Sequence, residues 1–273
     1  MLKKVIVIMF FTQIVFGSAN TLKKNQGYIW NGFSLSYFDK LKLPNDQTVT
    51  FNETTKYYRN NLFIAYGLLS YLTFFTGFTF QLPSKQNDDI LTNLGDSLIG
   101  FKGRIYNSRK HKLSLSTSMK TPLSDYPIEN LNSLGDGQVD FNVLFNYSFY
   151  RNNFSWHFST GYRARDKDPA DQMVFRSNIK YVLPGYYFLS LSANYLKSIK
   201  GVDYGSLEFN TISLSKGLGV AFTSLEISYL TLSISMEKQL LKGIYGGISY
   251  STVILANNAA LVNSFGINIG TAF

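Results

Sequence analysis

Apolar and polar side chains alternate with a period of two along most of this chain, and the alternation is longest from Gln138 to Tyr150. Val139, Phe141, Val143, Phe145, Tyr147 and Phe149 stand on one face. Gln138, Asp140, Asn142, Asn146 and Ser148 oppose them, with Leu144 the single apolar intruder. A period of two is that of an extended strand, whose successive side chains point to opposite sides. A strand of about 12 residues is long enough to cross a tilted path through a bilayer. Asn152-Asn153 then predicts a tight turn. The next strand, Phe154 to Arg165, sets Phe154, Trp156, Phe158, Thr160 and Tyr162 against Ser155, His157, Ser159, Gly161, Arg163 and Arg165.

The pattern recurs over Tyr71–Leu82, Asp96–Tyr106, Lys112–Pro122, Gln172–Leu183 and Tyr187–Tyr195. Ile99, Phe101 and Ile105 fall opposite Lys102 and Arg104. Leu113, Leu115 and Met119 fall opposite Ser114, Ser116, Ser118 and Lys120, and Met173, Phe175, Ile179 and Tyr181 opposite Arg176, Asn178 and Lys180. A face of Ser, Asn, Lys and Arg cannot form the core of a soluble sandwich, because those groups would lose water without compensation. It suits a wet lumen, and the apolar face then needs lipid. The connections alternate as well. Gly67–Ser70, Ser108–His111, Asn152-Asn153 and Pro184-Gly185 are short, whereas Gln86–Gly95, Leu123–Gly137 and Asp166–Asp171 are longer and polar. Tyr57, Tyr58, Tyr106, Tyr150, Tyr186 and Tyr187 fall near strand ends and are expected in interfacial girdles.

The pattern predicts an all-β fold: a transmembrane antiparallel up-and-down β-barrel of about 12 strands, or 14 if Ser215–Leu225 holds a further turn. The last three strands are expected at Leu207–Phe222, Leu230–Gln239 and Val262–Phe273. Adding Ile244–Val253 would give an odd count with the termini on opposite sides. The final strand places Phe265, Ile267, Ile269 and Phe273 on its apolar face, as expected of a strand that closes a barrel and ends on an interfacial aromatic. That strand is also the expected contact with barrel-assembly machinery.

The amino terminus changes the compartment. Lys3 and Lys4 precede an apolar run from Val5 to Phe16, and Gly17-Ser18-Ala19 supplies small residues for cleavage. Residues 1–19 read as a secretory signal peptide, 20–31 as a short segment that could tuck into the lumen, and 32–273 as the barrel. The expected destination is the bacterial outer membrane, with lipid and lipopolysaccharide as surroundings. The chain has no cysteine, which excludes a lipoprotein anchor, disulfides and thiolate chemistry. Its formal charge is +9; without Lys3 and Lys4 the balance is 24 basic to 17 acidic, or +7. The basic residues form no cluster of the kind that binds nucleic acid, and none is expected as a partner.

Several short stretches resemble the family named for the MetA pathway of phenol degradation, whose members are outer-membrane transporters. They are Leu94-Gly95-Asp96, Arg104-Ile105-Tyr106 and Thr121-Pro122-Leu123-Ser124-Asp125. Leu134-Gly135-Asp136-Gly137 with Asp140, Gly161-Tyr162 and Asp171-Gln172 complete the set. The resemblance covers Leu62–Tyr195 and the closing strand, and the family's Pro-Thr-Gly-Asp-like strand end stands here as Thr-Pro-Leu-Ser-Asp. These are turn and strand-end marks, not catalytic signatures. The resemblance implies passage of small, often apolar, molecules.

Candidate chemistry is sparse. His157 and Ser159 share a face, as a base and nucleophile of a lipid hydrolase would. Their face is the lumenal one, no orienting acid stands at an obvious spacing, and acyl chains would arrive from the other side. Asp166, Asp168 and Asp171 share a loop but lack the glycine and terminal Glu of a calcium loop, so a solvated turn is the plainer reading. No metal or cofactor is expected. The inward set of Lys102, Arg104, Lys120, Asp140, His157, Arg163, Arg165, Arg176 and Lys180 is the main site candidate. Such a wall would favour anionic or weakly acidic solutes, unless its charges pair across the lumen and fill it. Three classes stay open: a channel for small solutes, a lipid hydrolase using His157 and Ser159, and a structural or adhesive barrel with an occluded lumen.

Overall fold

The computed structural model describes residues 18–44, 47–83, 93–123, 139–166, 171–199 and 226–273, together with Gly201, Ser206 and Asn210. Strands β1 (Gly27–Lys42), β2 (Thr48–Leu69), β3 (Leu72–Pro83) and β4 (Asn93–Asn107) open the chain. They are followed by β5 (His111–Pro122), β6 (Asp140–Arg151), β7 (Phe154–Arg165), β8 (Gln172–Leu183) and β9 (Tyr187–Ser198). The last are β10 (Ser228–Leu241), β11 (Ile244–Asn257), the two-residue β12 (Ala259–Ala260) and β13 (Asn263–Ala272). Each long strand pairs antiparallel with its neighbour in sequence. Strand β1 is bonded to β2 on one side and to β13 on the other, from Tyr28 opposite Ala272 to Tyr37 opposite Asn263. Strand β13 pairs in turn with β11, so twelve strands close a transmembrane barrel. The short β12 adds only two pairs beyond the end of β1. Closure gives every long strand among the described residues a partner on both sides, as lipid requires.

The expected number of strands is correct, but their membership is not. Strand β9 pairs directly with β10, from Tyr187 opposite Lys238 to Lys197 opposite Ser228. The wall therefore closes without Leu207–Phe222, nearly all of which lies outside the described residues. Ile244–Val253, set aside because it gave an odd count, lies within β11, which supplies the missing strand. Its alternation is blurred by Gly246-Gly247 and by a register shift opposite Leu230 and Thr231. Gly247 is there for room: a Cβ at that position would lie 2.4 Å from Cγ of Glu237.

The distribution of side chains is inverted relative to a soluble protein. Phe101, Phe141, Leu191, Ile248 and Ile267 face outward and are exposed, while Ser114, Asn146, Ser148 and Ser159 inside are fully buried. The tight turns that join β2 to β3, β4 to β5, β6 to β7, β8 to β9 and β10 to β11 all fall at one end of the barrel, the end at which β1 begins and β13 finishes. Gly185 and Gly243 sit in two of those turns with φ of 75° and 82°, where a side chain would strain the backbone. Two of the six girdle tyrosines turn out to face inward. Tyr150 shares the side of Ser148 and packs edge-on against His157, and Tyr57 lies under the Arg59 guanidinium.

The lumen is not polar all round. Tyr28, Trp30, Phe63, Ala65, Phe75, Phe188 and Tyr245 pack with Leu22 into a buried apolar cluster inside the barrel. Strands β1 to β3 supply most of it, so one side of the interior is aromatic and the side built by β4 to β8 is charged.

Candidate functional site

Asp140 organises the charged side. It is almost wholly buried, and its two oxygens lie 3.1 Å from Lys120 Nζ and 3.2 Å from Arg165 Nε, with Arg163 Nε at 3.9 Å. Lys120 also reaches Asp96 at 3.3 Å. Arg163 donates to Asn142 Oδ1 at 2.9 Å and to Gln172 Oε1 at 3.0 Å. The four cations come from β5, β7 and β8 because Lys120, Arg163, Arg165 and Arg176 all hold the parity of the inward face. Nearer the short-turn end, Lys180 of β8 pairs with Glu237 of β10 over the intervening β9 at 3.8 Å and lies over the Phe188 ring. Arg104 lies on the inward side of β4 and is half-buried.

At the short-turn end, residues 18–26 cross the mouth of the barrel. Lys102 Nζ donates to the Ser18 carbonyl at 2.7 Å, and the Ala19 amide donates to Ser148 Oγ at 2.8 Å. Asn20 is held between Lys112 Nζ and the Tyr150 hydroxyl. The Leu22 amide donates to Thr73 Oγ1 at 2.8 Å, and its side chain joins the aromatic cluster. Gly67 makes this approach feasible, since a Cβ there would lie 1.9 Å from the Lys23 carbonyl oxygen.

His157 and Ser159 are both inside and buried, but their hydrogen bonds run to β6. His157 Nδ1 is 2.8 Å from Ser148 Oγ. Ser159 Oγ donates its only proton to Asn146 Oδ1 at 2.7 Å, so that proton is not offered to the imidazole. In the acidic loop, Asp166 accepts the Val139 amide and Asp171 accepts the Arg165 amide and the Tyr162 hydroxyl. These carboxylates hold strand ends together; Asp168 lies outside the described residues. Phe265, Ile267, Ile269 and Phe273 are all exposed on the outer face, and the main chain of Phe273 exchanges two hydrogen bonds with Gly27.

Between the aromatic cluster and the Asp140 network lies a cavity of about 230 Å³. Trp30, Phe63 and Leu98 line it from β1, β2 and β4, and Lys120, Leu144, Arg163 and Arg176 from β5 to β8. Parity reasoning identifies the charged side only. The apolar side rests on Trp30, Phe63 and Leu98, which occupy inward positions in strands where outward positions are apolar too. One signal was available: the adjacent Phe74-Phe75 must send one ring inside, and Phe75 is completely buried.

The family model described as the MetA-pathway of phenol degradation matches residues 19–235. No curated protein matches the chain. Among solved structures, the COG4313 outer membrane channel from Pseudomonas putida F1 superposes with a TM-score of 0.72 at 11% identity, covering 94% of this chain and 98% of that one. The KdgM porin follows at TM-score 0.55 and 7% identity, covering 89% and 99%. The NanC porin gives 0.55 at 7% identity, covering 89% and 98%. At these identities the likeness is one of fold.

Proposed function

We propose that this chain, which belongs to the MetA-pathway of phenol degradation family, is an outer-membrane channel that passes small organic solutes and favours anionic or weakly acidic ones. The fold of outer-membrane channels and the family support the channel. The preference rests on the inner wall, where, among the described residues, Lys102, Lys120, Arg163, Arg165, Arg176 and Lys180 stand against Asp96, Asp140 and Glu237. In a confined lumen such a surplus raises the local concentration of anions and lowers the barrier to their entry. No catalytic role is assigned to His157 or Ser159.

The signal peptide ends at Ala19 in this reading, and the mature chain starts at Asn20. Cleavage there removes the Ser18 and Ala19 contacts but keeps those of Asn20 and Leu22, which support a short segment seated in the lumen. Lipopolysaccharide meets the outer face, and the strand ending in Phe273 engages the assembly machinery.

The test is single-channel conductance of the refolded mature protein in planar bilayers, with selectivity taken from the reversal potential in a salt gradient. Anion-preferring openings that weaken in Arg163→Gln and Arg176→Gln are expected. A folded barrel that never conducts would favour a structural barrel instead, and cation preference would overturn the charge argument.

A further inference from the structure

The charges of the barrel are sorted by end. Among the described residues, Asp39, Asp96, Asp140, Asp166, Asp171 and Glu226 belong to the long-loop half, and Glu237 is inside, paired with Lys180. Residues 67–73, 105–113, 149–156, 181–187 and 239–246 form the five short turns and their flanks, and with 18–27 they contain no Asp or Glu. Three cations of this end cluster on one wall. The turn between β4 and β5 presents Arg109 and Lys110, both exposed. The Tyr150 amide donates to the Lys110 carbonyl at 2.8 Å, which sets that turn beside Arg151, exposed at the end of β6. The turn is held from within, since the Ser108 amide donates to the His111 carbonyl at 2.8 Å and the His111 amide to Ser108 Oγ at 3.0 Å. Among the described residues none of the three cations forms an ion pair. Like charges held side by side repel, and an anion shared among them relieves the repulsion.

Next to these cations, on the lipid-facing side, stands an aromatic shelf. His111 packs on Phe149 at 5.3 Å and meets the Tyr147 hydroxyl through Nδ1 at 2.8 Å. Phe149 leans on Phe154 at 6.5 Å, and Tyr147 meets the Trp156 ring edge-on at 5.9 Å. Aromatic side chains at the ends of barrel strands lie at the bilayer interface, so the anion that reaches this level from outside is a lipid headgroup. Short turns face the periplasm in barrels of this class, and the leaflet on that side is phospholipid. Guanidinium groups match a phosphate in geometry as well as in charge. We propose that the β4–β5 turn and Arg151 form a binding site for the phosphate of an anionic phospholipid, whose acyl chain lies along Phe149, Phe154 and Trp156. A zwitterionic phosphatidylethanolamine brings an ammonium of its own to the same three cations and binds less well. The site goes beyond the channel reading and stands whether or not the barrel conducts.

Trp156 supplies the reporter. The chain has 2 tryptophans; Trp156 is exposed on the lipid-facing wall, and Trp30 is buried inside the barrel. The refolded mature protein is placed in phosphatidylethanolamine bilayers that contain a minor share of phosphatidylglycerol. Bromine is carried on the acyl chains of one lipid or of the other, and the quenching of tryptophan fluorescence gives the relative affinity of each headgroup for the wall around Trp156. Phosphatidylglycerol is expected to be favoured at least about fivefold, the worth of one basic residue near a membrane surface. Arg109→Gln/Lys110→Gln should bring the ratio close to one, and Arg151→Gln should lower it. Lys23→Gln/Lys24→Gln removes two charges from the same end, but on the segment that passes over Gly67 of β2, away from this wall. That variant should keep the ratio of the parent.

A ratio near one in the parent protein would overturn the site. So would a ratio that survives Arg109→Gln/Lys110→Gln. A ratio that falls as far in Lys23→Gln/Lys24→Gln would overturn it too, because the cause would then be the charge of the whole rim. The substituted side chains are all exposed, and heat-dependent mobility confirms that each barrel is closed before its ratio is read.

Discussion

Removing the charge of Asp140 would leave Lys120, Arg163 and Arg165 facing one another around a site that is almost sealed from water. Breaking a buried ion pair from one side costs about 3–5 kcal/mol, because the remaining charges lose their compensation without regaining solvent. Asp140→Asn is therefore expected to lower the temperature at which the folded barrel loses its resistance to SDS, and to raise anion preference in any barrels that survive. An unchanged transition temperature would mean that water already reaches the cluster. Parity is what makes this position readable: the count that places Phe141 and Phe145 outside places Asp140, Asn142 and Asn146 inside. The partners could not be read, because three cations on two other strands compete for one carboxylate and only the register between strands decides. Tyr150 illustrates the opposite failure. Its place near a strand end suggested a lipid interface, yet its parity matches Ser148, and it is committed to Asn20, Lys112 and His157.

At the scale of elements, legibility followed the regularity of the alternation. Strands β5 to β9 alternate almost without interruption, and their expected limits lie within three residues of the observed ones. Strand β11 was obscured because Gly246 and Gly247 contribute no side chain to either face, even though both serve the packing of neighbours such as Glu237. The amino-terminal segment has no periodic signal at all. Its path depends on tertiary contacts, among them the close passage of the Lys23 carbonyl over Gly67. Gly67→Val should drive that carbonyl away and displace residues 20–26 from the mouth, with the barrel still closed. Deleting residues 20–26 should do the same, since β1 begins at Gly27. Both variants are expected to conduct at least about twice as well as the parent, on the reasoning that a filled lumen limits flow in a barrel of this strand number. Identical conductance in the deletion variant would show that the segment does not lie on the conducting path.

For the molecule as a whole, an exterior of Phe, Ile, Leu and Tyr and an interior of Ser, Asn, Lys and Arg fit a protein that meets lipid outside and a wet, confined space inside. Net charge alone does not predict how such a channel selects. The +9 of the full chain includes Lys3 and Lys4 as well as exposed residues such as Lys197 and Lys238, which look away from the lumen. Only the inward surplus acts on an ion in transit, and it acts through two components that salt separates. The long-range component, from charges spread along the wall, is screened over about 10 Å at 0.1 M salt and about 3 Å at 1 M. The short-range component, from groups in direct contact with the ion, is screened far less. If the dispersed wall sets the preference, the anion-to-cation permeability ratio should fall towards one as potassium chloride rises from 0.1 to 1 M. If instead the contact groups around the cavity set it, with Arg163 and Arg176 foremost, the ratio should persist at 1 M and collapse only on their substitution. The cations stand on strands β4 to β8, from Lys102 near the mouth to Lys120 and Arg165 at the far end. The expected result is therefore a ratio that declines with salt but levels off above one, with the residue abolished in Arg163→Gln/Arg176→Gln.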